Sequence, residues 1–319
     1  MLGFAADGQG PHALLWVEKT GANTGWVVAE LARAAGVALR DAGVCGHKDR
    51  HAIARQAVSL PVGPGVDPSR WIDLAGEGYR VLSVERHGRK LRAGAHRGNR
   101  FRIRIRELAA DRAGLQQRLE RIAGGGVPNY FGPQRFGRQG RNLERARAWA
   151  EGRDAPQGRA DRGFALSAAR SLLYNEVLAG RVRAGTWDTL LDGEAVMLDG
   201  SRSFFAAASI DPGLRERCGR LDVHPSGPLW GRGESPAQGA GLEVEARVAS
   251  AEPELVALLA AQGLRHERRS LRLPVREFRW SLAPDVLELE FYLPRGAFAT
   301  AVVHELAGEA WDAGESADE

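Results

Sequence analysis

The chain has 319 residues, of which 44% are hydrophobic and 26% are charged, and its formal net charge is +4. These proportions are typical of an ordinary soluble globular protein with two domains or one large one. No apolar run approaches the ~20 residues that a membrane span requires, and no charged-then-apolar leader opens the chain, so we expect a cytoplasmic protein. Cys45 and Cys218 are the only cysteines and lie far apart, which excludes a disulfide scaffold and a cysteine-rich zinc site.

The first third of the chain contains one predicted helix and three predicted strands. The helix is expected to start at an N-cap, Thr24, and to end at Gly36, because apolar residues recur between them at helical spacing. Short strands are predicted at residues 58–61 and 81–84. Residues 101–106 alternate strictly between apolar residues and arginine, which indicates a half-buried strand with an arginine face.

The rest of the chain mixes helices and strands without a regular βαβ pattern. Asp111 is predicted to cap a helix that the glycines at 124–126 end. Beyond it we predict helices at 143–150, 166–182, 255–259 and 299–306, a strand at 287–293, loops at 211–245 and a disordered acidic tail at 314–319. This mixture predicts an α+β (mixed α/β) protein.

Basic residues are concentrated in segment 86–106, which is rich in arginine and contains no acidic residue. Its charges would cluster on one surface, because the segment covers a predicted strand, a loop and a further strand. We expect a track for a nucleic-acid backbone rather than a solvated strand face, since so one-sided a field is costly without an anionic partner. A second, weaker cluster consists of Arg265, Arg268, Arg269 and Arg272.

Asn99 and Phe101 lie inside the basic segment. An amide and an aromatic ring beside cations can bond to the edge of a base and stack on its face. Spacing alone favours a core position for Phe101, which heads the apolar face of its strand, and for Phe298, which begins an apolar helix face.

Asp49 is the carboxylate with the most unusual neighbours, because it stands between Lys48 and Arg50 and is bracketed by His47 and His51. The adjacent cations favour its ionised form. Such an anion can act as a nucleophile or a base, or it can be half of a structural ion pair. Lys48 and Arg50 are candidates for the cation that pairs with it, but adjacent strand residues point to opposite faces, so we expect the partner to come from elsewhere, such as the arginine-rich stretch.

Other kinds of chemistry have little support in the sequence. Cys45 beside His47 suggests thiol catalysis only weakly, because Cys45 follows Val44 and fits a buried position. The histidines never pair at spacings typical of metal sites, so a metal is not expected. Neither a phosphate-binding glycine loop nor a Gly-x-Ser-x-Gly elbow occurs.

Four segments together resemble one protein family. Residues 46–52, GHKDRHA, are similar to the Gly-x-Lys-Asp-x-x-Ala motif of the TruD family of tRNA pseudouridine synthases, and residues 89–101 match its next conserved block. Residues 126–137, GVPNYFGPQRFG, resemble its signature, and residues 293–306 resemble its C-terminal block. The similarity covers nearly the whole chain and is weakest at about 199–250.

The resemblance implies an RNA-modifying isomerase that uses no cofactor and no metal. Such enzymes detach uracil from its ribose, rotate it and rejoin it through carbon 5, usually at the uridine in position 13 of a tRNA. The essential aspartate of the family corresponds to Asp49, and its substrate-contacting positions correspond to Asn99, Phe101 and Phe298. Lys48 is a motif residue with a less specific role in substrate binding. The candidates for contacts with the RNA backbone are Arg89, Lys90, Arg92 and Arg97.

The partner that the resemblance implies is tRNA, and the sequence indicates neither a membrane nor an obligate protein partner. The family fold is a pseudouridine synthase catalytic core, built on a central mixed sheet and interrupted by an inserted TRUD domain. The first part of the core should occupy residues 1–125, the inserted domain residues 126–274, and the C-terminal part residues 275–319. The glycine run at 124–126 agrees with the first boundary.

One departure from the family pattern lies at the start of the chain. Family members usually have, before the point at which this chain starts, a segment that contains Pro-Glu-Asp-Phe and a strand. That segment supplies an aromatic side chain near the substrate, so the alternative function is a non-catalytic RNA-binding or RNA-folding protein of the same fold. A carboxylate-dependent glycosidase ranks far below both, because no second carboxylate stands out opposite the first.

Overall fold

The chain folds into two compact units, residues 1–100 and residues 101–319. The computed structural model describes residues 1–108 and 111–308, so the acidic tail predicted at 314–319 lies outside the described residues. Helices and strands follow one another irregularly in both units, which confirms the predicted α+β class. Across the described ranges, no helix is both long enough and apolar enough to cross a membrane.

The first unit is an antiparallel sheet with one long helix. Its elements are, in chain order, strand β1 (His12–Lys19), helix α1 (Thr24–Ala35), and strands β2 (Gly43–Val44), β3 (Ala54–Pro61), β4 (Ala75–Gly76) and β5 (Tyr79–His87). The strands lie in the order β2-β3-β1-β5-β4 and pair antiparallel throughout. The strands predicted at 58–61 and 81–84 are the inner parts of β3 and β5.

Strand β1 is the centre of this sheet and is buried on both faces. Ala13, Leu15 and Val17 belong to the main core, which α1 also lines, whereas Leu14 packs in a smaller cluster on the opposite face. Because side chains alternate across a strand, Lys19 at the end of β1 falls on the same face as the main core. It is only 1% exposed despite its charge.

Helix α1 starts differently from the prediction and ends as predicted. Asn23 precedes the helix without a side-chain capping bond, and Thr24 is a buried residue of its first turn rather than the N-cap. The Thr24 hydroxyl oxygen instead accepts hydrogen bonds from the Lys48 main-chain N–H at 2.9 Å and from Gln56 Nε2 at 3.3 Å. Gly36 ends the helix in the left-handed conformation that glycine favours.

The second unit is larger and holds four small sheets within the residues that the structure describes. Strand β6 (Gly98–Arg106) runs into it from the first unit. Its further elements are α2 (Arg112–Gly125), β7 (Val127–Pro128), α3 (Arg141–Ala150), α4 (Arg159–Arg183), β8 (Glu194–Leu198), β9 (Phe204–Ala207), α5 (Pro212–Gly219), β10 (Val223–His224), β11 (Ser226–Leu229), α6 (Gly239–Ala251), α7 (Pro253–Ala261), β12 (Glu267–Ser270), β13 (Arg272–Leu273), β14 (Arg276–Leu282), β15 (Val286–Pro294) and α8 (Ala299–Ala307). Strands are ordered β14-β15-β6 in one sheet and β10-β8-β9 in another, and β7–β13 and β11–β12 form two pairs.

Most sequence predictions in this unit are confirmed. Asp111 caps α2, since its carboxylate accepts hydrogen bonds from the main-chain N–H groups of Ala113 and Gly114 at 3.1 and 2.8 Å. The loops predicted at 211–245 are wrong in part, because α5, β10, β11 and most of α6 lie there. Asp211 caps α5 ahead of a proline, a start signal that the surrounding glycine, proline and serine obscured.

The second unit contains separate hydrophobic cores. One joins α2, β15 and α8, and includes Leu119 and Val302. A second joins α3, α4 and α7, and includes Leu173 and Leu255. A small third core lies around β8 and α5. Thus residues from the two ends of this unit pack together, and the residues between them form cores of their own.

Candidate active site

Asp49 lies on the loop at residues 45–53, which joins β2 to β3 and is neither helix nor strand. The side chain is exposed. Its Oδ1 accepts a hydrogen bond from the main-chain N–H of His51 at 3.0 Å, which is the local turn that Asp commonly makes. In the described ranges no donor bonds to Oδ2. The carboxylate is therefore oriented through one oxygen and open through the other.

A buried lysine, Lys19, contacts Asp49, and sequence reasoning missed it. Its Nζ donates a hydrogen bond to the main-chain oxygen of Asp49. Burial lowers the pKa of Lys19, and the negative charge of Asp49 offsets part of this effect. The signal that could have indicated its burial is its spacing, because Lys19 follows the apolar residues Ala13, Leu15 and Val17 on one face of a strand, but nothing in the sequence indicates its partner.

The two sequence neighbours of Asp49 bond elsewhere. Arg50 Nε donates to the main-chain oxygen of Gly21 at 3.2 Å. Lys48 Nζ donates to Oδ1 of Asn99, and burial lowers the pKa of this lysine. The side chains of Lys48 and Arg50 thus bond to Asn99 and Gly21 rather than to the Asp49 carboxylate, and Lys19 contacts Asp49 through the main-chain oxygen.

The contact between Lys48 and Asn99 orients an amide. An ammonium can only donate hydrogen bonds, so the amide oxygen of Asn99 must face Lys48. The NH₂ group of Asn99 is then available as a donor to another molecule. Lys48 is itself positioned through its main-chain bond to Thr24, so α1, the loop and the start of β6 together set the orientation of this amide.

Cys45 does not have the environment of a reactive thiol. It lines a cavity of about 30 Å³ together with Lys48, Trp16 and Gln56. Burial raises the pKa of the Cys45 thiol, which keeps it protonated and poorly nucleophilic. Among the residues that the structure describes, no group of three or more His, Cys, Asp or Glu side chains is placed to hold a metal ion.

The arginine face of β6 is paired with acids, contrary to the expected free track. Arg104 bonds to Glu288, with Nε at 2.8 Å from Oε1, and Arg102 lies 3.4 Å from Glu290 and 3.7 Å from Glu288. Both glutamates are on β15, the neighbouring strand. These arginines are therefore largely compensated within the sheet.

The four backbone candidates lie outside this paired face. Arg89, Arg92 and Arg97 are exposed, and in the part of the chain that the structure describes none of them pairs with a carboxylate. Lys90 Nζ donates to the main-chain oxygen of Arg40. Positive charge available to an RNA is thus concentrated in the loop between β5 and β6 rather than on β6 itself.

The second arginine cluster is also mostly internal. Arg268 is buried against Glu245, with Nη1 at 2.7 Å from Oε1. Arg272 is buried and donates from Nε to Nδ1 of His224 at 3.1 Å. Both contacts stabilise the interior of the second unit and are not a surface track.

The two aromatic candidates occupy different parts of the second unit. Phe101 is half-buried and stacks on Phe291, with ring centroids 5.4 Å apart and planes at 28°. Phe298 immediately precedes α8, is half-buried, and lies edge-on to Phe131 at 6.5 Å. Asp49, Lys48 and Asn99 belong to the first unit, so each unit carries part of the predicted set.

Comparison with known proteins identifies the family. A sequence model of the family tRNA pseudouridine synthase D (TruD) matches residues 3–145 and 162–306. The chain belongs to the TruD family. It is therefore a member of a family of tRNA pseudouridine synthases, which are isomerases, as the four sequence segments predict.

Relatives of the same name align along nearly the whole chain. The tRNA pseudouridine synthase D of Nitrosococcus oceani is 47% identical over 307 residues, which cover 96% of this chain and 86% of the relative. The protein of that name from Azotobacter vinelandii is 46% identical over 315 residues, covering 98% of this chain and 89% of the relative.

A solved structure shares the fold. A TruD protein from Methanosarcina mazei superposes with a TM-score of 0.70 and covers 96% of this chain and 90% of that one. The two sequences are 20% identical. The likeness confirms the predicted pseudouridine synthase fold.

Proposed function

We propose that this protein converts the uridine at position 13 of tRNA to pseudouridine, with Asp49 as the reacting carboxylate. The observation that carries the proposal is the state of Asp49 in a TruD-family chain. It is exposed, held through Oδ1 by the His51 N–H, unbonded at Oδ2 in the described residues, and placed next to the buried ammonium of Lys19.

The reaction needs a group that takes the uracil from its ribose and returns it through carbon 5. An ionised Asp49 can bond to carbon 1′ of the ribose as the glycosidic bond breaks and uracil leaves, or it can add to the uracil ring as the 5,6 double bond opens. It can also take up the proton that leaves carbon 5 after the new carbon–carbon bond has formed, and in the covalent routes the bond to Asp49 breaks again to release the product. Lys19 contributes through its hydrogen bond to the main-chain oxygen of Asp49, which holds the loop that carries the carboxylate.

Asn99 and the aromatic candidates supply recognition. With its oxygen bonded to Lys48, Asn99 offers its NH₂ group to a carbonyl oxygen of uracil. Phe101 and Phe298 offer ring faces or edges on which an extruded base can stack. Arg89, Arg92, Arg97 and Lys90 contribute charge for the phosphates of the tRNA. A tRNA substrate is consistent with the cytoplasmic location expected from the sequence.

The test compares two carboxylate-to-amide variants of the full chain. Asp49→Asn keeps the side-chain size and removes the charge, so pseudouridine formation at position 13 should fall by at least ~10³-fold while tRNA affinity stays within about twofold. Asp41→Asn, an exposed aspartate of the same unit, is the matched control and should keep full turnover.

Pseudouridine is measured by mapping modified positions in tRNA incubated with each purified protein. Near-normal turnover in Asp49→Asn would remove Asp49 from the chemistry. If the unaltered protein binds tRNA but yields no pseudouridine, the non-catalytic RNA-binding alternative replaces the proposal. Modification at another position would keep the isomerase and reject the site.

A further inference from the structure

Two arginines of the second unit lie against one phenylalanine ring. The guanidinium carbon of Arg269 is 4.2 Å from the ring centroid of Phe131, and that of Arg135 is 5.1 Å from it. The main chain of Phe131 is held by Asn175, which accepts from its N–H at 3.0 Å and donates to its oxygen at 3.0 Å. The ring is therefore a fixed platform for two cations.

Neither cation has an acidic partner in the described ranges. Arg135 donates from Nη1 to the Ser167 hydroxyl at 3.1 Å. Arg269 donates to the Asn129 amide oxygen at 2.6 Å and to the Gly296 main-chain oxygen at 3.2 Å. All three acceptors are neutral, so the two positive charges are uncompensated.

Two fully buried arginines of this protein have carboxylate partners, unlike the half-buried Arg135 and Arg269. Arg181 bonds to Glu194 at 2.9 Å and Arg268 bonds to Glu245 at 2.7 Å, and all four side chains are buried. A carboxylate is not the rule for every internal arginine, since buried Arg272 bonds to His224 and to main-chain oxygens instead. Arg135 and Arg269 differ from all three because they face one ring together, and two positive charges so placed without a carboxylate in the described residues favour an anion from outside.

Unused donors point the same way. Nε of Arg135 and Nε of Arg269 are both buried and have no hydrogen-bond partner in the described structure. Burial lowers the pKa of both guanidinium groups, and the charge of Arg269 lowers that of Arg135 further. An anion bound at the two guanidinium groups would relieve the repulsion between these cations.

We propose that Arg135 and Arg269, on the Phe131 platform, bind a phosphate group of the RNA backbone close to the target nucleotide. A guanidinium stacked on a ring uses its face and leaves its in-plane donors for a tetrahedral phosphate. The position follows from Phe298, whose ring lies 5.8 Å from the Arg135 guanidinium carbon. The inference rests on the proposed function, in which Phe298 contacts the extruded nucleotide.

The first test measures tRNA binding in proteins that carry Asp49→Asn, so that the result does not depend on turnover. Arg135→Gln should raise the dissociation constant for tRNA about tenfold. It should also reduce the magnitude of the slope of log affinity against log salt concentration by about one. Arg138→Gln is the matched control, since Arg138 is exposed and lies on the next turn of the same segment. Its affinity should stay within about twofold. Equal affinities and slopes for the two variants would overturn the inference.

The second test locates the phosphate. The RNA is prepared with one neutral methylphosphonate linkage at a time around the target uridine. One linkage should weaken binding to the Asp49→Asn protein but have no further effect when Arg135→Gln is also present. If each methylphosphonate linkage weakens binding by the same factor with and without Arg135→Gln, Arg135 does not contact a backbone phosphate.

Two further comparisons keep the outcomes separate. Arg269 makes more hydrogen bonds within the protein than Arg135 does. The folding of Arg269→Gln is therefore checked first by far-ultraviolet circular dichroism and melting temperature. If this variant is folded, its tRNA affinity and salt slope should match those of Arg135→Gln. If the unaltered protein forms no pseudouridine but Arg135→Gln still lowers affinity and salt slope, the proposed function fails and the phosphate site stands. If the unaltered protein forms pseudouridine but Arg135→Gln changes neither affinity nor salt slope, only the phosphate site is rejected.

Discussion

At the scale of single residues, Lys19, the buried lysine at the end of β1, is the lysine that contacts Asp49. The sequence draws attention to the cations beside Asp49, but Lys48 and Arg50 bond to other groups. Lys19 lies 30 residues before Asp49 and holds the loop through its main-chain oxygen. Lys19 is therefore the lysine whose hydrogen bond positions the main chain at Asp49.

Lys19 leads to a prediction about pH. Its pKa lies below the ordinary lysine value of 10.5, so the ammonium loses its proton earlier than an exposed lysine does as pH rises. Turnover should therefore fall in the alkaline range below pH 10.5. Lys19→Met should lower kcat by about tenfold or more at neutral pH and should lack this alkaline fall. The pH dependence of kcat with tRNA checks this expectation.

The same shift has a consequence for stability. In the interval between the lowered folded-state pKa and the unfolded value, the unfolded chain binds more protons at Lys19, so stability rises with pH. Lys19→Met should lack this rise in alkaline unfolding curves. An unchanged alkaline limb in both kcat and stability would show that Lys19 is not the titrating group.

Lys48 gives a second prediction at this scale. Lys48→Met keeps the length of the side chain but releases the Asn99 oxygen, so the amide can rotate and present the wrong group to uracil. We expect kcat/KM to fall about tenfold while tRNA affinity stays within about twofold, because the lost contact concerns one base edge. Steady-state kinetics and filter binding measure the two quantities.

A double-mutant cycle separates this positioning role from a general loss of charge. Asn99→Ala should also lower kcat/KM, and the double variant should be no worse than the more impaired single variant, because both changes remove one interaction. Additive losses would mean that Lys48 and Asn99 act independently.

At the scale of elements, β6 and β15 show how a sheet can hide charge. Strict alternation predicts the arginine face of β6, and the structure has it. The register that places Glu288 and Glu290 beside Arg102 and Arg104 comes from β15, far along the chain. Arginine next to glutamate across a sheet stabilises the strands and weakens the field available to RNA.

The contributions of the β6 arginines and of the loop arginines to tRNA binding can be compared with two double variants that each remove two positive charges. Arg89→Gln with Arg92→Gln, in the loop before β6, should weaken tRNA binding about tenfold and lower the salt slope by about two. Arg102→Gln with Arg104→Gln should leave affinity within about twofold, because these charges are already compensated. Equal weakening would restore β6 as part of the RNA track.

At the scale of the whole chain, we propose that residues 126–274 are an inserted domain. Strand β7 pairs antiparallel with β13, so Val127 and Leu273, near the two ends of that segment, are neighbours. An insertion into a loop requires ends that lie close together. The core that includes Leu119 draws on residues from both sides of the segment, whereas the core that includes Leu173 lies within it.

Separate cores predict separate responses to cavities. Leu173→Ala should lower hydrogen-exchange protection in α3, α4 and α7 by ~2–5 kcal/mol and leave α2 and α8 unchanged. Leu119→Ala should do the opposite, and both leucines are fully buried, so the changes are matched. If each variant lowers protection throughout residues 111–306, the segment is not an independent unit.

The chain by itself determined most of the elements and the family. Hydrophobic periodicity predicts α2, β15 and α8 because each buries one face, and short-range turn chemistry predicts the Asp111 cap and the Gly36 stop. Its motifs predict Lys48, Asp49 and Asn99 as a set, and the structure brings two of them, Lys48 and Asn99, into contact.

Tertiary structure alone decided which charges are available. Lys19 meets Asp49, Glu288 meets Arg104, and Arg269 meets the Phe131 ring that Arg135 also faces. Each of these three contacts joins residues far apart in the chain. Spacing along the sequence shows that a residue is charged and on which face of its element it lies. Whether that charge is paired, buried or free depends on the element packed against it, which is set by strand register and packing across the fold.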